Sequence, residues 1–478
     1  MMLKNDIALI LQKFENIEKK YELDNHKIGN INWWDSLRYL TYEELLVQLD
    51  LSGFQFYKDD EESLKKSKLN IIFIFINRLY NFLFSLFSFK SPLLIKKKSN
   101  IIFGHPRRIF ENNFYIDKYS DPFIEIFQKR DDFSVIENPI HFSHLKPVKT
   151  KNLFHGDIFV ILSKILSKFL NLEPSEKDSN FIKKLENEIN FTFNVNINLY
   201  NKIKLFLPLY KAETLLYKFF FKLKNPKKIF VVNSAGYESM IEAAKLLTIK
   251  TYELQHGSPA RGKLNYDYSS GIKKSTFPDF FLSFGKFWTN DIKLPIDNDK
   301  IIEIGFPYLN QKLDNKDNLF KKENIFLIIS QPNMSKNLVP FCIELKKKIG
   351  DKIKILYKPH PLELLKNEAN YIDKLERNNI SVIQDYDCDL YKLLNKSKWV
   401  LGISSTVLYE AIAFKCRVFI LKEPTYEKTF KLLKLKFAHL IHSTQDFDQL
   451  LDKDIDFNSN TIFFNDGNKR IKSLFIDR

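Results

Sequence analysis

The sequence predicts an α/β protein made of two doubly wound parallel-sheet domains behind an N-terminal helical extension. The first observation is alternation. From residue 228 onward, short apolar runs alternate with helix-length stretches, which is the pattern of parallel strands and crossover helices. The second is that the alternation occurs in two blocks separated by a polar segment, LNQKLDNKDNLFKKEN (309–324). The third is that the residues just past several apolar runs are polar and specific, where doubly wound sheets hold their ligands.

In chain order, residues 1–60 read as helical and polar, with Trp33, Trp34, Arg38 and Tyr39 clustered among them. Residues 69–89 (LNIIFIFINRLYNFLFSLFSF) are almost wholly apolar and are followed by Lys96, Lys97 and Lys98. The stretch is long enough to span a bilayer, but Arg78 near its middle would cost about 2.5 kcal/mol or more there. A buried helix, or one lying in the membrane interface, is the better expectation. IIFGHP (101–106) reads as a buried strand entering a loop, and 150–225 as mainly helical. Strands follow at 228–233, 250–255, 280–284 and 301–307, with a helix at 237–247. The second block places strands at 325–330, 352–361, 380–385, 399–405 and 417–421, with helices near 336–349, 363–377, 389–397 and 406–414. The expected division is a helical region 1–98 with contact to a membrane surface, an acceptor domain 99–310 and a nucleotide-donor domain 311–478.

Composition sets the outer bounds. The chain has 478 residues, 44% of them hydrophobic, enough for a globular core. The formal charge of +16 favours an anionic partner: phosphorylated substrate, acidic membrane or nucleic acid. No nucleic-acid-binding motif accompanies the charge, so no nucleic acid partner is expected. Diffuse lysine on solvated faces explains the charge equally well. Cys342, Cys388 and Cys416 are odd in number and far apart, which argues against a disulfide framework. With no secretory signal at MMLKNDIALI, a cytoplasmic location is expected, with peripheral contact at the inner membrane face.

Three loops carry the candidate chemistry. Gln255-His256-Gly257 follows the strand 250–255. Gly257 is expected to let the chain turn, so that His256 can act as general base on an acceptor hydroxyl. A hydrogen-bonded loop histidine is the alternative. Lys358-Pro359-His360-Pro361 ends another strand, its prolines fixing an extended backbone and Lys358 suiting a phosphate. A rigid turn with incidental charge is the alternative. Ser404, Ser405 and Thr406 open the helix TVLYEAIAF, whose first turn is expected to form an anion site, with Glu410 one turn on within reach of a ribose. An ordinary serine cap is the alternative. Asp387 and Asp389 have Asp-x-Asp spacing but precede a short helix and can simply cap it.

QHG, then KPHP, then SST-x-x-YEA, in that order, resemble the GT-B glycosyltransferases of bacterial capsule and lipopolysaccharide. The order is also similar to that of CDP-glycerol glycerophosphotransferases and bacterial sialyltransferases. The match covers about 228–422, and IIFGHPRR with DKYSDPF (117–123) looks like the group's N-terminal domain. The first 95 residues match only through INWWDSLRY. The resemblance implies two Rossmann-like domains facing a cleft, with His256 as general base. It implies Lys358, His360, Ser404, Ser405, Thr406 and Glu410 as donor- or phosphate-binding residues. Gln255, Gly257, Arg261, Arg107 and Arg108 are further cleft candidates. It implies no metal and no cofactor, a nucleotide-activated sugar as co-substrate, and a glycan or lipid-linked glycan as acceptor. A sialyltransferase-type acidic base is disfavoured, because the matching turn carries His256. Three other readings stay open: a glycerophosphate-type transferase, a sugar-nucleotide epimerase of the same fold, and a non-enzymatic basic membrane-associated binding protein.

Overall fold

The computed structural model describes residues 7–49, 89–127, 132–139, 143–268, 271–314, 321–331, 334–360, 370–385, 388–423, 425–453 and 458–474, with a few isolated positions between them. The apolar segment 69–89 lies almost wholly outside the described residues. Among those described, no helix is long and apolar enough to cross a membrane. The chain forms two compact units: one of residues 1–109, 113–305 and 466–478, the other of 110–112 and 306–465.

The first unit is built on a parallel sheet of β1 (Asn100–Phe103), β2 (Phe133–Glu137), β3 (Leu153–His155), β4 (Lys228–Val232), β5 (Lys250–Leu254), β6 (Phe280–Ser283) and β7 (Ile301–Glu303). Their order is β3-β2-β1-β4-β5-β6-β7. The strands read as continuous apolar runs because both faces are covered. Successive side chains point to opposite faces. Ile101, Phe103, Ile229 and Val231 accordingly join one core with Met240, Ile241 and Phe220. Ile102, Phe230 and Val232 join another with Phe123, Leu282 and Ile471.

The N-terminal helices Ile7–Lys20 and Trp33–Gln48 belong to this unit. Phe14, Trp33, Trp34 and Leu45 share a core with Ile182, Leu185, Ile203 and Leu207 of the long helices Glu176–Phe193 and Leu199–Lys224. The chain's last helix, Gly467–Ser473, also packs here, with Ile471 fully buried. A Cβ on Gly467 would lie 1.8 Å from the Ile304 carbonyl oxygen, so only glycine lets the chain return at that point. The expected boundaries at 98/99 and 310/311 therefore differ from the observed partition.

The second unit holds a parallel sheet of β8 (Glu323–Ile329), β9 (Lys354–Lys358), β10 (Ser381–Val382), β11 (Ser397–Gly402), β12 (Arg417–Leu421) and β13 (His439–Ile441), ordered β10-β9-β8-β11-β12-β13. The expected linker is partly structured. Pro307–Asp314 is a helix with Tyr308 and Leu309 buried, and Tyr308 packs against Tyr391 at 5.3 Å. Both units are thus doubly wound parallel-sheet domains, as the alternation predicts.

Glycine is scarce, and asparagine takes several left-handed positions. Asn194 and Asn225 end the two long helices at φ of 53° and 47°. Asn tolerates this region because its short polar side chain bonds locally.

Candidate functional site

In the first unit the chain leaves β5 at Leu254 and enters Gln255-His256-Gly257. Gln255 is buried and fully used: its Nε2 donates to Gly257 O (2.8 Å), and its Oε1 accepts from Phe284 N (2.7 Å) and Ser283 Oγ (3.2 Å). It is a staple between the ends of β5 and β6. Gly257 has no left-handed φ, and a Cβ there would meet only Lys263 Nζ at 3.8 Å. The turn does not depend on glycine, which corrects that expectation. Gly257→Ala is expected to change unfolding free energy by less than about 0.5 kcal/mol in urea titration.

His256 is partly buried and has a basic surround. Its ring stacks on His105 (5.6 Å, 25°), which sits in the loop after β1. Tyr119 Oη donates to the His256 carbonyl (2.5 Å). The loop carrying His105 is pinned by Asp117, which accepts from His105 N (3.0 Å), Tyr119 N (3.0 Å) and Ser120 Oγ (2.6 Å). The IIFGHP and DKYSD motifs thus meet at His256. Burial first, then the charges of Lys263, His105, Lys118 and Arg107, holds His256 well below the ordinary histidine pKa. Its Nδ1 is buried without a hydrogen-bond partner. His105 is lowered too, mainly by burial.

The arginine candidates divide. Arg107 is exposed and contributes to the positive field on His256. Arg108 is buried against Glu137, Asp121 and Thr150, bonding Thr150 Oγ1 at 3.0 Å. Arg261 spans Asp267 (2.7 Å) and Glu15 (2.9 Å). Both guanidiniums are engaged by carboxylates of the fold; the Arg108 side chain is buried and that of Arg261 is half exposed.

Sequence reading missed Glu253. It lies in buried β5, and burial above all pushes its carboxyl up to about 7, while Tyr266 donates a hydrogen bond of 2.5 Å. A glutamate between Tyr252 and Leu254, inside a strand covered on both faces, was the available signal.

In the second unit the strand order reverses between β8 and β11, the switch point where such sheets take ligands. There Gln331 Nε2 donates to Ser404 Oγ (3.0 Å), and Gln331 Oε1 accepts from Ser404 N (2.8 Å). Ser404 Oγ and Thr425 Oγ1 share a further bond of 3.0 Å. Thr425 is held at φ 79°, a strained conformation for a β-branched residue of the sort that clusters at ligand sites. Neighbouring Ser330 accepts from Tyr357 Oη (2.8 Å) and donates to Glu363 (3.1 Å), and Glu363 accepts from His360 N (2.7 Å). Lys358, His360 and Ser404 therefore sit on adjoining strand ends linked through Ser330 and Gln331. Burial lowers the Lys358 amine, opposed by Cys388 and Asp385. Glu363 and Gln331 were not legible as site residues in the sequence.

Three details bear on the expected anion site. The helix after the serines spans Val407–Ala413, seven residues, shorter than the expected 406–414. Ser405 Oγ accepts from Val407 N (3.3 Å), the ordinary cap role, and Thr406 makes no side-chain cap bond. Glu410 is buried, with Oε2 lacking a hydrogen-bond partner. Asp389 caps its helix by accepting from Tyr391 N (3.0 Å) and Lys392 N (3.3 Å); Pro361 and Asp387 lie outside the described residues.

No protein-family model matches the chain. No curated protein matches it. Among solved structures, it is similar to UDP-GlcNAc 2-epimerase of Methanocaldococcus jannaschii, at 15% identity and TM-score 0.46, over 79% of this chain and 98% of that one. UDP-GlcNAc 2-epimerase of Neisseria meningitidis is similar at 13% identity and TM-score 0.46, over 80% and 100%. The wall teichoic acid polymerase TagF is similar at 12% identity and TM-score 0.40, over 86% and 92%.

Proposed function

We propose that this chain is a glycosyltransferase that moves a sugar from a nucleotide-activated donor to a bacterial capsule or lipopolysaccharide glycan. The carrying observation is His256: a neutral imidazole at a strand end, with a buried unpartnered nitrogen, surrounded by Lys263, Lys118 and Arg107. A neutral imidazole can accept a proton, and the cations favour an anionic substrate beside it. In the proposed reaction His256 takes the acceptor hydroxyl proton. The oxygen attacks the anomeric carbon, and the nucleotide leaves with the electron pair of the broken C–O bond. Lys358, His360 and the Gln331–Ser404–Thr425 cluster hold the donor, and Glu410 offers its open oxygen to a hydroxyl. These residues supply cations and donors at the leaving phosphate, so the transfer step is proposed to run without a metal.

The test is a calorimetric titration with CMP, CDP, UDP and GDP, followed by the Ser404→Ala/Ser405→Ala double variant. Hydrogen bonds to charged groups contribute about 1.5–3 kcal/mol, so the preferred nucleotide is expected to bind about tenfold or more weakly. Unchanged affinity in a folded double variant would remove the donor site from the second unit. Glu253, with a carboxyl near 7, favours the epimerase as second reading, since that reaction needs acid–base carboxylates. Turnover of a nucleotide sugar with no acceptor present would decide for it.

A further inference from the structure

A second cluster of chemistry-bearing side chains lies apart from His256 in the first unit. Glu137 is the last residue of β2, His155 the last of β3, and Asp157 the first of the helix Asp157–Ser167. His144 comes from the segment between β2 and β3. His144 Nε2 is 2.8 Å from Asp157 Oδ2, and its Nδ1 is 3.6 Å from Glu137 Oε1. The His144 and His155 rings stack at 3.6 Å and 6°. The side chains of His144 and Asp157 are 4% and 5% exposed, and His155 is 3% exposed. One ligand atom from each of His144, His155 and Asp157 falls within 4.8 Å of the others.

We propose that His144, His155 and Asp157 form a binding site for a divalent transition-metal ion of the zinc class. Ligand atoms at about 2.0–2.2 Å from such an ion stand about 3.3–3.6 Å apart, and the in-plane lone pairs of stacked rings do not converge, so closing on one ion requires the His144 and His155 rings to unstack. Two imidazoles and a carboxylate are the donor set such ions take. A second observation has the same implication. A ligating histidine normally presents its other nitrogen to a carboxylate; Glu137 Oε1 lies 3.6 Å from His144 Nδ1, beside it but short of a hydrogen bond, and would close that gap when the site fills. Glu137 is itself fixed by Arg108, which also bonds Thr150. The backbone brings the ends of β2 and β3 together at Gly156, whose N donates to Glu137 O (2.8 Å) and whose Cβ, if present, would lie 2.4 Å from Asn138 Oδ1. The ion would tie the two strand ends to the 143–148 segment. The competing description is an empty cluster, with His144 as an imidazolium paired to Asp157.

The test uses the full chain stripped with EDTA, then titrated with zinc by calorimetry and with cobalt by visible absorption. One equivalent is expected to bind, with a rise in Tm and tetrahedral cobalt bands. Asp157→Asn and His144→Gln should each lower zinc affinity tenfold or more, and Glu137→Gln about 10–100-fold as an outer-sphere partner. If one variant fails to fold, the others and the native cobalt spectrum still decide. Absence of stoichiometric binding by the native chain overturns the proposal. So does binding that persists unchanged in the folded Asp157→Asn and His144→Gln variants.

Discussion

His256→Ala is expected to lower kcat by about 10²–10⁴-fold, the range a positioned general base contributes, with donor affinity within twofold of native. The separation follows from where the groups lie. His256 is at the end of β5 in the first unit, whereas Lys358, His360 and Ser404 belong to the second. Single-turnover rates and calorimetric donor binding read the two quantities independently. A variant keeping kcat within threefold would remove His256 from the mechanism. The pH profile provides a second measurement. Because burial and neighbouring cations hold the His256 pKa well below 6.5, the proposed base is unprotonated at neutral pH. kcat/KM should stay flat as pH falls through 6.5 and drop only at lower pH, where the imidazole finally protonates. Stability moves in the same direction. The unfolded chain binds the proton near pH 6.5 and the folded chain does not, so this contribution is complete above 6.5 and is lost as pH falls toward the folded pKa.

Much of the strand plan was legible, for a physical reason. Strands covered on both faces are mostly apolar, and β1, β4, β8, β11 and β12 stand out as such runs. Polar strand ends were legible too: His256, His360 and Ser404 follow the runs of β5, β9 and β11. Hydrogen-bond commitments were not legible. Gln255, Arg108 and Arg261 have residue types that suit a ligand, and only the fold shows that Phe284 N, Glu137 and Asp267 already engage them. The return of Gly467–Ser473 to the first unit was equally hidden, since a short amphipathic helix carries no mark of which core it enters. The His144–His155–Asp157 cluster escaped because its members are joined by the sheet, across the β2–β3 connection, and not by a short ligand spacing.

INWWDSLRY, where the resemblance was thinnest, turns out to bear on the His256 loop. Arg38 is 3% exposed and grips Glu18 through Nε (2.6 Å) and Nη2 (2.9 Å). Its Nη1 donates to the carbonyls of Leu264 (2.8 Å) and Asp267 (2.7 Å), and its guanidinium lies over Tyr268 at 4.6 Å. Trp34 Nε1 adds a bond to Glu18 (2.7 Å), and Asp35 takes Lys274 (2.8 Å) and Thr276 (2.6 Å). The N-terminal helices therefore brace residues 264–268 and 274–276, which follow His256 and Lys263 in the chain. Arg38→Met is expected to cost about 3–5 kcal/mol in chemical denaturation, because it strands a buried Glu18 carboxylate. The Glu18→Gln/Arg38→Met pair removes that stranded charge and should recover much of the stability. It leaves the Leu264 and Asp267 carbonyls without their donor, so kcat should stay depressed, about tenfold, while donor affinity in the second unit is unchanged. A double variant that regains stability and full kcat together would show that the helices support the fold without positioning the loop. Stability regained with kcat still low would identify Arg38 as the residue coupling the extension to the His256 loop.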